Sequence, residues 1–228
     1  MHWLVIFFLF LAGCSGNTDQ QSKVDLYSEQ GILLLGNGTE PSGIDPHIVT
    51  GVPEHKILLA LLEGLVIFNP QNNGVLPGVA SDWMISEDGL TYTFIFNPEA
   101  KWTNGESVKP EHFVYSWKRI LSPELGAQYA DMLYVIKNAE SFHKGQIKDF
   151  SMVGVSVFEN KLVVTLENPT PYFLNILTHY STWPVHPETV EKFGGMTSRN
   201  NQWTRVNNFI GNGPFKLDSW EINKSLKV

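Results

Sequence analysis

The chain has 228 residues, a net charge of −7 at pH 7, and 12% aromatic residues, among them seven tryptophans. Proteins that bind nucleic acid cluster Lys and Arg, because contacts to phosphates supply most of their affinity. The acidic balance, without any basic stripe, argues against that class, and the hydrophobic content of 43% is ordinary for a globular protein.

The N-terminal residues have the pattern of a bacterial export signal. The segment Trp3–Cys14, WLVIFFLFLAGC, is apolar and ends in the one cysteine of the sequence. It is too short to cross a bilayer, which needs about 20 residues, but it has the length of a signal-peptide core. Because Leu11-Ala12-Gly13-Cys14 resembles a lipobox, residues 1–14 are predicted to be a lipoprotein signal peptide whose Cys14 thiolate accepts the lipid. A plain signal peptide with an unrelated cysteine stays open, since Met1-His2 carries no Lys or Arg.

The next segments alternate between polar connections and apolar runs. Residues 15–23 are small and polar, which predicts a flexible tether. Ile32–Leu35 predicts a buried strand, and the stretch 36–47, GNGTEPSGIDPH, predicts a loop on the surface or along a cleft. A helix is predicted from Pro53 through Glu63, followed by a strand at Leu65–Phe68 that ends in the turn NPQNNG.

The middle of the chain predicts a helix between two groups of strands. Thr91–Phe96 alternates as a half-buried strand does. Pro110 suits a first helical position and predicts a helix. The segment 153–166 predicts a hairpin that turns at Glu159-Asn160, although this turn lacks the usual glycine. The inward face of the predicted helix carries Phe113, Trp117, Ile120 and Leu121.

The C-terminal third is divided by prolines and glycines. Pro171 and Pro187 each predict the start of a short helix, the second of which ends at Gly194-Gly195. Residues 211–220, GNGPFKLDSW, predict a turn and another strand. Helices and strands are mixed without a regular βαβ alternation, which predicts an α/β protein of the mixed α+β kind.

No pattern for catalysis or metal binding stands out in the sequence. Seven histidines occur, but none has a close metal-ligand spacing, and Pro184 between His179 and His186 disfavours a shared helix face. The stretch GNGTEPSG lacks the Lys-Ser/Thr of a phosphate loop, and no pair of carboxylates is singled out for acid–base chemistry. The sequence therefore offers no catalytic, cofactor or metal site.

One long stretch resembles a known family. Residues 78–123, GVASDWMISEDGLTYTFIFNPEAKWTNGESVKPEHFVYSWKRILSP, contain an Ala-x-x-Trp, an Asp-Gly-x-x-Tyr-x-Phe strand, a Lys-Trp-x-x-Gly turn and a Phe-Val-Tyr-Ser-Trp-x-Arg helix. This string resembles the signature of the extracytoplasmic solute-binding proteins of peptide ABC transporters (family 5), most closely the oligopeptide-binding branch. His112 departs from the family pattern, where an acidic residue is usual, and Lys109 stands where Thr or Ser usually caps the helix. Supporting stretches extend the resemblance over residues 24–228 and lie at 40–54, 61–68, 168–177 and 212–220.

The resemblance implies a periplasmic-binding-protein-like fold of two lobes, of which this sequence holds the N-terminal lobe. Residues 24–62 and 184–228 would form an incomplete base domain, and residues 63–183 the extra domain typical of this group. Members of the family are much longer and have a second large lobe, so we expect this sequence to be an N-terminal fragment.

The resemblance also implies a carrier and not an enzyme. Thr50, Gly51 and Val52 are expected to lie in extended form along the ligand cleft, where their backbone pairs with an oligopeptide as a strand would. Tyr129 matches a family tyrosine whose hydroxyl reaches the peptide, and His179 lies near the cleft by analogy only. The two lobes would close around the peptide and deliver it to ABC permease subunits.

The implied protein is a monomer that uses no cofactor and no metal. A lipid anchor would hold it to a bacterial membrane, on the periplasmic side or at the cell surface.

Two other functions stay open on the sequence. A related carrier would take another solute, such as nickel or an oligosaccharide, since the second lobe largely makes that choice. A secreted glycan hydrolase would suit the acidic, Trp-rich composition, although the signature at 78–123 argues against it.

Overall fold

The computed structural model describes residues 21–228. The predicted signal peptide, Cys14 and most of the predicted tether lie outside these residues. The described residues divide into two compact units, one that ends at Asn37 and one that comprises Gly38–Val228. No helix in this described range has both the length and the apolar composition that a membrane span requires.

The first unit contains a short helix that the sequence patterns did not predict. Helix α1 (Lys23–Glu29) is capped by Ser22, whose hydroxyl accepts a hydrogen bond from the Asp25 amide at 3.1 Å. The Asp25 carboxylate accepts in turn from the Ser22 amide at 3.3 Å, which completes a capping box. The last residues of the predicted tether therefore form the start of a helix.

The apolar run Ile32–Leu35 is not a buried strand, and this prediction is wrong. Its side chains are exposed, with Leu33 at 78% and Leu35 at 74% of full accessibility. Within residues 21–228, no strand pairs with it. An apolar run forms a buried strand only where a neighbouring strand takes up its backbone groups and other elements cover its side chains.

The second unit combines antiparallel sheets with short helices, which confirms the predicted mixed class. Single 3-10 turns lie at Pro123–Leu125, Ala130–Leu133, Phe150–Met152 and Tyr180–Thr182. The helices are α2 (Val52–Leu61), α3 (Pro110–Leu121), α4 (Ala139–His143), α5 (Phe173–Ile176) and α6 (Pro187–Lys192). The strands are β1 (Val66–Asn69), β2 (Gly74–Pro77), β3 (Ala80–Ile85), β4 (Thr91–Phe96), β5 (Val155–Phe158), β6 (Lys161–Thr165), β7 (Ser219–Glu221) and β8 (Ser225–Lys227).

The main sheet is antiparallel and has the strand order β3-β4-β6-β5. Strand β4 coincides with the predicted strand, and its Tyr92 and Phe94 are buried as the alternation indicates. Strands β5 and β6 form the predicted hairpin, which turns at Glu159 and Asn160 with φ values of 48° and 58°. Two successive residues in the left-handed region give a type I′ turn, whose twist matches that of the flanking strands.

Two further hairpins lie outside the main sheet. Strands β1 and β2 pair around the predicted turn NPQNNG, so the predicted strand at Leu65–Phe68 is confirmed with a shift of one residue. Strands β7 and β8 pair near the C-terminal end of the described chain. Only the last part of the predicted strand at 211–220 is therefore a strand, and Phe215 is 53% exposed.

Helix α3 packs against β5 and β6 of the main sheet. It begins at Pro110 and ends at Leu121, as the sequence predicts. The indole N–H of Trp117 donates a hydrogen bond to the Thr182 carbonyl at 2.8 Å, which links the helix to the 3-10 turn at Tyr180–Thr182. The four predicted inward residues, Phe113, Trp117, Ile120 and Leu121, are all fully buried.

The first turn of α3 explains the departure from the family pattern. His112 Nδ1 accepts a hydrogen bond from the Lys109 amide at 3.1 Å and another from Trp102 Nε1–H at 2.9 Å. His112 therefore takes the acceptor role that a carboxylate at the third helical position has in a capping box. Because two N–H groups donate to Nδ1, the neutral ring carries its proton on Nε2.

Separate hydrophobic clusters fill the interior of the second unit. The largest lies between the main sheet and α3 and draws its buried members from residues 65–177. A second cluster joins Ile44 and helix α2 to Tyr180 and Trp183. A third contains Val185, Val190 and Trp203. The loop that precedes α2 thus packs with residues that follow the sheet.

Candidate functional site

The loop before α2 is fixed to α3 by a buried ion pair. Arg119 NH1 and NH2 donate hydrogen bonds to the two carboxylate oxygens of Asp45 at 2.9 and 2.6 Å. The same guanidinium donates to His47 Nδ1 at 2.9 Å and, through Nε, to the Met196 carbonyl at 2.9 Å. His47 Nε2–H in turn donates to the Trp183 carbonyl at 3.0 Å, so Arg119 and His47 together join four segments of the chain.

The charges at this junction are set by Arg119. Burial alone would raise the pKa of Asp45, but the Arg119 guanidinium outweighs burial and holds that pKa below its ordinary value. Burial, together with the Arg119 charge, lowers the pKa of His47 to about 3. His47 is therefore a neutral acceptor at physiological pH, and Asp45 is the counter-ion of Arg119.

The loop leads to the segment Thr50-Gly51-Val52, which the sequence predicts to bind ligand in extended form. Gly51 has extended backbone, with φ −93° and ψ 156°, and Thr50 is exposed. Val52 is the first residue of α2 and is 71% exposed. The extended part thus ends at Gly51, because Val52-Pro53 supplies the first turn of a helix.

Gly51 lies against the Glu54 carboxylate. A Cβ atom at this position would lie 2.0 Å from Glu54 Oε2 and 3.0 Å from its carboxyl carbon. The carboxylate is held by Ser42, whose amide and hydroxyl donate to Oε1 at 2.6 and 2.9 Å. A larger side chain at position 51 would therefore displace the Glu54 carboxylate from its present position.

Tyr129 and His179 lie next to this segment. The Tyr129 hydroxyl donates a hydrogen bond to the Thr50 carbonyl at 3.2 Å. The Tyr129 and His179 rings meet edge to face with centroids 5.0 Å apart. The five residues predicted from the resemblance are thus in one place, although they come from three separate parts of the chain.

Two residues of this place were not predicted. The His55 ring lies 5.5 Å from the Tyr180 ring and 6.3 Å from the His179 ring. The Tyr180 hydroxyl donates to the Val49 carbonyl at 3.1 Å, one residue before Thr50. Helical spacing was the available signal for His55, since it follows Val52 by three positions on α2.

Burial also sets the protonation states in this aromatic group. It lowers the pKa of His179 to about 4, with a further contribution from the His55 charge. It raises the pKa of Tyr180 to about 12, together with the charges of Tyr129 and Glu54. His179 is therefore neutral near pH 7, and its Nδ1 accepts a hydrogen bond from the Ser181 amide at 3.3 Å.

The main-chain donors at this site are available to a ligand. No hydrogen bond within residues 21–228 takes up the amide N–H of Thr50 or of Gly51. Two successive N–H groups of this kind, one on the exposed Thr50 and one on the partly exposed and extended Gly51, can pair with the backbone of an extended ligand. Tyr129 stands beside them with a hydroxyl that both donates and accepts.

Comparisons with known proteins agree on one family. The family model described as "Bacterial extracellular solute-binding proteins, family 5 Middle" matches residues 74–228. The periplasmic oligopeptide-binding protein OppA of Haemophilus influenzae is 34% identical over 197 residues, which are 86% of this chain and 35% of that protein. The OppA of Salmonella typhimurium is 35% identical over 221 residues, or 96% of this chain and 39% of that protein.

A third relative, the dipeptide-binding protein DppE of Bacillus subtilis, is 34% identical over 96% of this chain and 40% of its own length. This chain thus spans between 35% and 40% of the length of these three relatives. The matched family is one of binding proteins, which removes the alternative of a glycan hydrolase.

Solved structures give the same result for the fold. The crystal structure of Haemophilus influenzae OppA in complex with RPPGFSPFR superposes with a TM-score of 0.77 at 34% identity, over 84% of this chain and 36% of that one. The substrate-binding domain of an oligopeptide ABC transporter from Bacillus anthracis superposes with a TM-score of 0.77 at 33% identity, over 85% and 36% of the two chains. The predicted periplasmic-binding-protein-like fold, present here in part, is therefore confirmed. The chain belongs to family 5 of the bacterial extracellular solute-binding proteins.

Proposed function

We propose that this chain forms one wall of an oligopeptide-binding cleft in the substrate-binding component of an ABC transporter. The observation that carries the proposal is the pair of N–H groups at Thr50 and Gly51, which no hydrogen bond among residues 21–228 takes up, next to the Tyr129 hydroxyl that donates to the Thr50 carbonyl. The relatives named as peptide-binding proteins, and the RPPGFSPFR complex of one of them, support a peptide as the ligand. The carrier would release its peptide to permease subunits in the membrane.

Main-chain pairing would let the proposed cleft accept peptides of varied sequence. Backbone hydrogen bonds give affinity that does not depend on the peptide's side chains. The rigid junction at Arg119 holds the loop in place, so less ordering of the loop is needed when the ligand binds. A second lobe would then close over the peptide about a hinge and exclude water from the backbone ladder.

We propose the same division into two domains. Residues 24–62 and 184–228 form the base domain, and residues 63–183 form the extra domain. Support comes from the largest hydrophobic cluster, whose buried members all lie within residues 65–177. The second cluster includes Tyr180 and Trp183 together with α2, which indicates close packing between the two domains near the end of the extra domain.

Replacement of Tyr129 by Phe is expected to weaken peptide binding by a few-fold to about tenfold. The variant keeps the ring that packs on His179 but loses one neutral hydrogen bond, which is worth about 0.5–1.5 kcal/mol. Calorimetric titration with mixed tri- to pentapeptides measures the change, using the protein expressed from its native gene. Tyr172→Phe is the matched control, because Tyr172 is 60% exposed and belongs to α5 and not to the site. Equal affinity in parent and Tyr129→Phe would assign Tyr129 a purely structural role.

We also propose that the protein is a monomer, in the periplasm or at the cell surface, anchored to a bacterial membrane by lipid at Cys14. The support is the lipobox-like tetrapeptide Leu11-Ala12-Gly13-Cys14 after an apolar run. Cys14→Ala is expected to abolish labelling by a fatty-acid analogue in a bacterial host, whereas Ser15→Ala keeps the label. Undiminished labelling of Cys14→Ala would contradict the anchor.

A further inference from the structure

A polar pocket of about 460 Å³ lies where α3, α6 and the turn between β5 and β6 meet. None of the five residues of the proposed peptide site lines it. Its walls include exposed side chains from all three elements, namely Lys109, Glu111, Asn160 and Glu188, together with the buried His112. These side chains supply both donors and acceptors of hydrogen bonds, so the pocket suits a small hydrophilic ligand.

His112 offers this pocket an unused donor. The residue is 6% exposed, and its Nδ1 accepts from the Lys109 amide and from Trp102 Nε1–H. Burial lowers the pKa of His112, so the ring is neutral near pH 7 and carries its proton on Nε2. No acceptor among residues 21–228 takes up this Nε2–H, and the atom is not closed off from solvent as the unpartnered Glu54 Oε2 and Trp203 Nε1 are. An oxygen of a ligand in the pocket can therefore accept from it.

The charges around the pocket disfavour a ligand that is itself charged. The ammonium of Lys109 and the carboxylates of Glu111 and Glu188 leave the lining with a net negative charge. An anion would be repelled by the two carboxylates, and a cation would be repelled by Lys109 and would leave the His112 N–H without an acceptor. A hydroxyl group meets neither difficulty, because it can accept from an N–H and donate to a carboxylate at the same time. A neutral ligand with several hydroxyls therefore matches the lining.

The half-buried Tyr115 adds an aromatic ring to the same lining. Its hydroxyl donates to Glu191 Oε1 at 2.8 Å, which fixes the side chain. A sugar combines hydroxyl groups with an apolar face of C–H groups that can pack on an aromatic ring. We propose that this pocket binds a small neutral sugar, whose hydroxyls accept from His112 Nε2–H and donate to Glu188. Sugar binding here is a second binding function of the chain, separate from peptide capture.

The test uses the purified, isotopically labelled full chain, with glucose, galactose and N-acetylglucosamine as probes. The Trp102 indole N–H is the reporter in NMR titrations, because it donates to His112 Nδ1 and responds to a change at that ring. We expect its signal to shift saturably with at least one of the three sugars. His112→Glu removes the Nε2–H but keeps an acceptor for the Lys109 amide, as in a capping box. This variant is expected to bind that sugar a few-fold to about tenfold more weakly, measured by saturation transfer to the sugar's own signals.

Further variants and probes separate this site from weak binding elsewhere on the surface. Glu188→Gln is expected to weaken binding a few-fold, and it carries the comparison if His112→Glu does not fold. Glu87→Gln removes an exposed carboxylate on the turn between β3 and β4 and is expected to keep the parent's affinity. Glycine, as a zwitterion, and inorganic phosphate, as an anion, are expected to leave the Trp102 signal unchanged. The proposal is overturned if no sugar shifts that signal saturably, if the folded His112 or Glu188 variants bind sugar as well as Glu87→Gln does, or if glycine or phosphate binds more tightly than the sugars.

Discussion

Replacement of Arg119 by Met is expected to lower the free energy of unfolding by about 3–5 kcal/mol. The Arg119 side chain has no solvent exposure, and it neutralises Asp45, whose side chain is only 10% accessible. In the variant, the Asp45 carboxylate would be left buried without its cation. His47 Nδ1 and the Met196 carbonyl would lose their donor at the same time. Urea unfolding followed by tryptophan fluorescence and circular dichroism measures the change.

Two comparisons identify the origin of this loss. Arg205→Met removes an exposed arginine whose guanidinium donates a hydrogen bond to the exposed Gln202 side chain, and a change within about 0.5 kcal/mol is expected. The double variant Arg119→Met with Asp45→Leu is expected to regain much of the stability, because it removes both buried charges together. A loss below about 1 kcal/mol for Arg119→Met would show that the ion pair contributes little to the fold.

The Arg119 junction also bears on the proposed ligand site. Asp45 and His47 precede Thr50 by five and three residues, and both are held by the same guanidinium. If the junction is lost, the loop that presents the Thr50 and Gly51 amides loses its attachment to α3. We therefore expect Arg119→Met to weaken peptide binding even under conditions where the variant is fully folded.

Local patterns predicted the elements that are fixed by neighbours in sequence. Pro110 set the start of α3, alternation identified β4, and the hairpin of β5 and β6 turns at Glu159-Asn160 as predicted. Each of these elements is determined by the backbone preferences of its own residues or by the alternation of its own buried and exposed side chains. The run Ile32–Leu35 shows the limit, because a strand also needs a partner, and one segment's apolar content does not reveal whether that partner is present.

The candidate site was predicted in part, and through the resemblance alone. Tyr129 lies 79 residues after Thr50, His179 lies a further 50 residues along the chain, and no periodicity connects the three. The junction of Asp45 with Arg119 joins positions 74 residues apart and was not predicted. The contact between Glu106 and His186 was missed for a similar reason. Glu106 lies 80 residues before His186, so their proximity depends on how α6 packs in the fold.

Acidification from about pH 6.5 toward pH 4 is expected to destabilise the protein, because the pKa values of His47 and of His179 are both lowered in the native protein. In the unfolded chain His47 binds a proton near its ordinary pKa of 6.5, but in the native protein its pKa is lowered to about 3. Between these two values the unfolded state holds more protons, so the free energy of unfolding falls as the pH falls. One such histidine contributes up to about 1.4 kcal/mol per pH unit. Asp45, whose native pKa also lies below its ordinary value of 3.8, adds to the loss only at still lower pH.

His47→Gln separates this contribution from those of other groups. Glutamine does not titrate, so the variant is expected to be less stable than the parent near pH 7 but to lose less on acidification. Burial also lowers the pKa of His179 and raises that of Glu63, and these shifts have opposite effects on stability. Both are present in parent and variant alike, so they cancel in the difference. Urea midpoints at about pH 7 and about pH 4.5 give the comparison, provided that fluorescence and circular dichroism report coincident transitions. An equal loss in both proteins would show that His47 takes up its proton in the native state, and that its hydrogen bonds with Arg119 and Trp183 rearrange to allow this.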